Sequence, residues 1–167
     1  MQIEMSIKGL MVDPITNTPI VILRDKDGQR VLPIWVGIFE ANAIALQIEN
    51  VSTPRPMTHD LVTEMLSQLE ARVTRITVTE LRDNTFYASI TIQMDGTEIE
   101  VDSRPSDAIA LAVRAEAPIF ADERVIEESA IEFEGEEVNE EEIVNDFRKF
   151  LEDVTPEEFA VGDEPED

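Results

Sequence analysis

The sequence predicts an α+β domain of mixed and antiparallel sheet in the order βββα-α-βββα-β, followed by an acidic helical appendage. Three observations carry this. Phe86, Ala88, Ile90, Ile92 and Met94 alternate with polar neighbours at the two-residue period of a half-buried strand. Apolar residues recur at helical spacing in 38–49, 61–69 and 108–113. After Arg124 the composition turns to glutamate, dividing the chain into a domain over 1–130 and an extension over 131–167.

Gln2 to Val12 opens with alternating Ile3, Met5 and Ile7 and continues through Gly9 to Leu10-Met11-Val12, a long strand with a bulge that Asp13-Pro14 ends. Pro19 to Leu23 and Arg30 to Val36 form a hairpin about the turn Lys26-Asp27-Gly28. Pro33 points to an unpaired edge, and Trp35 is expected in the core. Ile38 to Glu49 is a mostly buried helix. A turn-rich loop, 50–56, precedes a second helix with Leu61, Val62, Met65, Leu66 and Leu69 on one apolar face. Val73 to Leu81, Thr85 to Met94 and Thr97 to Val101 then make a meander with Asp95-Gly96 as a tight turn. A third helix carries Ala108 to Val113; Ala117-Pro118 stops it before a last strand, Ile119 to Ala121. Ala43-Ile44-Ala45-Leu46 recurs as Ala108-Ile109-Ala110-Leu111, which fits either a duplication or a coincidence of composition.

Charge is unevenly spread. The net charge of −24 divides into 19 acidic and 11 basic side chains over 1–125 against 18 and 2 over 126–167. A polyanion-binding face usually needs basic residues, so the acidity counts against nucleic acid, though less for the domain than for the tail. Few lysines and many acids suggest a salt-rich, halophilic-like cytoplasm. Within the tail, Asn139 followed by Glu140, Glu141 and Glu142 starts an amphipathic helix of about 140–154, with Ile143, Phe147, Phe150, Leu151 and Val154 as its stripe. Two phenylalanines on one face predict that it docks on the body or on a second subunit. No apolar run is long enough to cross a bilayer and the N-terminus lacks signal-peptide character, so no membrane association and a cytoplasmic location are expected. The absence of cysteine removes disulfides, thiolate metal sites and cysteine nucleophiles.

Two helix starts share a design. Asp102-Ser103-Arg104-Pro105-Ser106-Asp107 lies between a strand and an apolar helix: Ser103 or Ser106 can cap, and Pro105 has a φ suited to the first turn. Capping does not require Arg104 beside two aspartates. A guanidinium at a helix N-terminus favours an oxyanion such as phosphate, and two carboxylates can hold a cation or a proton. Arg55-Pro56-Met57-Thr58-His59-Asp60 repeats the arrangement, with Thr58 as the expected cap and the chain's only histidine beside Asp60.

These motifs, together with Leu32-Pro33-Ile34-Trp35-Val36-Gly37 and Glu40-Ala41, resemble the bifunctional nuclease domain family. The resemblance covers roughly residues 1–130 and stops short of the tail. It implies a mixed α+β domain, commonly dimeric or of higher homo-oligomeric state, that cleaves RNA and DNA.

Phosphodiester hydrolysis needs an activated water, stabilised phosphoryl oxygens and a protonated leaving oxygen. His59, oriented by Asp60, can move the proton; Arg55 and Arg104, with Ser106, can hold phosphate; Glu40 and Asp107 can serve as bases. Asp102 and Asp107 are the candidate ligands for Mg²⁺ or Mn²⁺, and no organic cofactor is expected. Plainer roles stand beside these. His59 fits an exposed first turn, Asp60 and Asp107 suit the helix dipole, and Arg104 and Arg55 can close internal ion pairs. The alternative is a non-catalytic oligomeric module binding a small anionic ligand or a protein partner, which the acidity suits better.

Overall fold

The computed structural model describes residues 1–132. Its elements are β1 (Gln2–Val12), β2 (Pro19–Asp25), β3 (Arg30–Trp35), α1 (Ile38–Ile48), α2 (Thr58–Gln68), β4 (Arg72–Arg82), β5 (Thr85–Met94), β6 (Thr97–Ser103), α3 (Pro105–Ala115), β7 (Ile119–Asp122), α4 (Glu123–Ser129) and β8 (Ile131–Glu132). The predicted α+β order holds through β7. The tail helix expected at about 140–154 lies outside the described residues.

All eight strands join one mixed sheet in the order β6-β5-β4-β7-β1-β2-β3-β8. Local turn chemistry makes the two halves. The β4–β5 turn, Asp83-Asn84, and the β5–β6 turn, Asp95-Gly96, place both central residues at positive φ, the backbone twist that suits two-residue hairpins. In the β2–β3 turn, buried Asp25 accepts the Gln29 and Arg30 N–H groups at 3.1 and 3.2 Å and pairs with the Arg30 guanidinium at 3.0 Å. The predicted bulge in β1 falls between Ile7 and Gly9.

β7 unites the halves. It runs parallel to β4 through Ile76↔Ile119 and antiparallel to β1 through Met5↔Ile119. The strand that follows α3 thus sits mid-sheet, and the core is continuous across both halves.

The helices follow from small side chains. Ala41, Ala43 and Ala45 of α1 and Ala108, Ala110 and Ala112 of α3 are buried, and α1 packs on α3. Alanine-rich faces let two helices approach closely. α2 flanks α3 and buries no residue fully.

Four expectations are corrected. The apolar face of α2 is divided: Val62 and Leu66 pack on the core, while Leu61, Met65 and Leu69, one turn apart, are exposed. Trp35 is 49% exposed, because it lies at the end of β3 beyond buried Leu32 to Ile34. The expected order ended at β7 and omitted α4, which leads into the glutamate-rich run. Asp122 caps α4 by accepting the Arg124 N–H at 3.0 Å, and buried Val125 and Ile126 anchor that helix on the core. Thr58 and the two serines do not cap their helices: Met57 is the N-cap of α2 and Arg104 that of α3, and neither α-helix receives a side-chain bond from its N-cap.

Candidate active site

The α2 and α3 helix starts converge. Met57, Thr58 and His59 from one and Asp102, Ser103 and Arg104 from the other line a cleft of about 490 Å³, with Glu40 of α1 and Asp107 of α3 on its wall. Packing dictates this: α3 lies between α1 and α2, so the N-termini of α2 and α3 and the first turn of α1 face common space.

One polar chain crosses the cleft. His59 Nε2 lies 2.9 Å from Asp107 Oδ1. The Arg104 Nε–H donates to Asp107 Oδ2 at 2.8 Å, and its Nη2 donates to Glu40 Oε1, also at 2.8 Å. The sequence Glu40–Arg104–Asp107–His59 is therefore continuous, drawn from three helices. Its members differ in access: the His59 side chain is 13% exposed and that of Arg104 66%. Hydrogen bonds to Asp107 and then Glu40 raise the already high pKa of Arg104, so its charge persists at every relevant pH. Glu40 folds back over the start of its helix so closely that any side chain at Gly37 would collide with its carboxylate. The carboxylate is thereby aimed at Arg104, across 64 residues of chain.

Asp60 does not orient His59. Its Oδ2 accepts the Met57 N–H at 2.9 Å, and its Oδ1 accepts the Arg114 Nε–H at 2.7 Å. Both bonds, Arg114 first, hold its carboxyl below the usual carboxylate range. The Arg114 side chain, 5% exposed, also donates to the Ala110 and Ala43 carbonyls at 2.9 and 3.0 Å. Arg114 thus ties α1, α2 and α3 together. Sequence reasoning missed it; the signal was a lone guanidinium on an otherwise apolar helix.

Arg55 is exposed on the loop before α2 and does not line the cleft. Ser106 is buried and lines a neighbouring cleft with Trp35 and Pro105; Arg104 belongs to both clefts. Asp102 is exposed on the cleft wall. Among the described residues no three His, Asp or Glu side chains gather as a metal ligand set. Asp107, one of the two expected ligands, has both oxygens engaged by His59 and Arg104. Among the described residues, the donors present do not form a resident cation site.

Comparison with known proteins gives the chain its setting. The family model described as "Bifunctional nuclease domain" matches residues 21–134. An uncharacterized protein of Mycobacterium tuberculosis is 35% identical over 162 residues, covering 93% of this chain and 97% of the relative. That match runs into the acidic extension, so the tail is not private to this chain. "Bifunctional nuclease 1" of Arabidopsis thaliana is 31% identical over 105 residues, covering 60% of this chain and 32% of the plant protein. "Bifunctional nuclease 1" of Oryza sativa subsp. japonica is 29% identical over 109 residues, covering 63% and 33%. The plant proteins therefore share with this chain about a third of their own length, and the family match over residues 21–134 includes both helix starts that build the cleft. No helix among the described residues is long and apolar enough to cross a membrane. The chain belongs to the bifunctional nuclease domain family.

Proposed function

We propose that this chain hydrolyses phosphodiester bonds of RNA and DNA, with His59 as the proton-transfer group and Arg104 as the phosphate holder. The observation that carries it is the His59–Asp107 contact of 2.9 Å in the cleft that also presents Arg104. A histidine whose one ring nitrogen is held by a carboxylate has its ring orientation and tautomer set, leaving the other nitrogen to accept a proton. With Nε2 on Asp107, Nδ1 takes the proton from water as the oxygen attacks phosphorus. The bond to the leaving oxygen then breaks, that oxygen takes a proton from solvent water, and His59 returns its own proton to solvent. Water as nucleophile serves RNA and DNA alike, since DNA has no 2′-hydroxyl. Arg104, exposed and permanently charged, offsets negative charge growing on the non-bridging oxygens. The names of the plant relatives support the substrate class.

A divalent ion such as Mg²⁺ is commonly held by one or two carboxylates together with substrate phosphate. Asp102, exposed on the cleft wall, would be the carboxylate that meets an ion arriving with the substrate. Arg104's engagement by two carboxylates partly neutralises the guanidinium and weakens it as a phosphate holder, which favours a second reading, a non-catalytic oligomeric module binding a small anionic ligand or a protein partner. Incubation of pure protein with labelled RNA and single- and double-stranded DNA in molar KCl, with Mg²⁺, Mn²⁺ or chelator, separates the two. The hydrolase reading expects cleavage by the native chain and its loss in His59→Ala and Asp107→Ala. Binding without cleavage by the native chain supports the module, and cleavage that survives both substitutions refutes the assigned residues.

A further inference from the structure

Hydrolysis as described uses one side of Arg104. The other side opens on a second cleft of about 570 Å³, lined by Trp35, Asn84, Thr85, Phe86, Pro105 and Ser106. Trp35 stands out there. Its strand neighbours Val31 to Ile34 are buried, whereas the indole is 49% exposed, forgoing much of the apolar burial that usually justifies a tryptophan. It is also held in place. Its Nε1–H donates to Asp13 Oδ2 at 3.2 Å, and Asp13 Oδ1 accepts the Ile15 N–H at 2.9 Å, fixing the supporting turn. An exposed, anchored aromatic ring is a stacking platform, since every base has a π-face and an ordered ring loses little freedom on binding.

Continuity with the first cleft selects the ligand. The same guanidinium lines both, so a phosphate on Arg104 has His59 on one side and Trp35 on the other. We propose that the Trp35 cleft is a nucleobase subsite, in which the nucleotide whose phosphate sits on Arg104 stacks its base on the indole. The inference rests on Arg104 holding phosphate, as the function above requires. It narrows the substrate to single strands. A base inside a duplex is stacked on its neighbours and reaches a side-chain platform only if it is flipped out. Phe86 adds an apolar side chain to the lining, and the exposed residues Asn84 and Thr85 carry an amide and a hydroxyl for a base edge.

The test exploits Trp35 being the only tryptophan of the chain. Full-length His59→Ala protein is titrated with oligodeoxyadenylate, an abasic strand of equal length and a duplex. Binding is read by anisotropy of labelled strands and stacking by quenching of the intrinsic fluorescence. Quenching by oligodeoxyadenylate, with none from the abasic strand and weaker binding of the duplex, is the expected result. Trp35→Ala should weaken oligodeoxyadenylate by about 5- to 150-fold, the range of one lost base–aromatic stack, without changing the abasic strand. Trp35→Phe should restore part of the loss, and melting curves verify that both variants fold. Oligodeoxyadenylate that binds without quenching, and equally well to Trp35→Ala, overturns the nucleobase subsite while leaving phosphate binding intact. Absence of binding by any strand overturns both.

Discussion

Asp60 adjoins His59 in the chain, yet the structure makes it a fastener, and Asp60→Ala separates the two roles. The substitution removes a 2.7 Å bond from buried Arg114 and the acceptor of the Met57 N–H. A hydrogen bond to a charged group contributes roughly 1.5–3 kcal/mol, and a lost helix cap about 1. The first figure belongs at its lower end. Asp60 is 35% exposed, and Arg114 keeps the Ala110 and Ala43 carbonyls. A loss of about 2–3 kcal/mol follows, lowering Tm by roughly 5–10 °C for a chain of this size. Urea unfolding measures it, and a double-mutant cycle with Arg114→Met isolates the pair.

The pH dependence has a defined sign. Arg114, then the Met57 N–H, depresses the folded-state pKa of Asp60 below its unfolded value of about 3.9, so the contribution is complete above that pH and disappears as pH falls through the folded value. Native and Asp60→Ala stabilities should therefore converge in acid. Cleavage measured well below the variant's Tm should stay near that of the native chain. Unchanged stability, or cleavage abolished in a fully folded Asp60→Ala, would refute the assignment.

Other outcomes follow from the same contacts. Asp107→Asn keeps the shape but not the charge that holds His59 and Arg104; cleavage should fall about 10²–10⁴-fold, with a Tm change of only a few degrees in a melting curve. Gly37→Ala should displace the Glu40 carboxylate and free one side of Arg104, changing KM for a labelled strand while leaving Tm nearly constant, because only a flexible side-chain end must move. Ile126→Ala should cost about 2–5 kcal/mol in urea unfolding, since its side chain is buried in the core rather than in the acidic tail.

Much of the fold was legible because it is local. The alternation in β5, the Asp95-Gly96 turn, the bulge at Gly9 and the alanine-rich helices are each encoded within a few residues. What was not legible is non-local or nearly silent. Nothing within Ile119–Asp122 says that β7 inserts between β4 and β1, and α4 shows two buried apolar residues among acids. The site divides the same way. Two helix starts of one design were visible in the sequence, but not which of their side chains meet: Thr58, His59, Arg104 and Asp107 share the cleft, Arg55 stands outside it, and the partners within it were misassigned. Consecutive helical residues point about 100° apart, so His59 and Asp60 cannot share a direction. His59 meets Asp107, 48 residues on, and Asp60 meets Arg114, 54 residues on. Trp35 looked like core because large aromatics usually are; its exposure depends on where β3 ends.

Chemical rescue tests the central claim most directly. Single-turnover cleavage of labelled single-stranded RNA is measured for His59→Ala with increasing imidazole, beside the native chain. If His59 moves the proton, the variant is slowed by about 10²–10⁴-fold and imidazole restores part of the rate in proportion to its concentration. Native-like cleavage by His59→Ala without imidazole would contradict it.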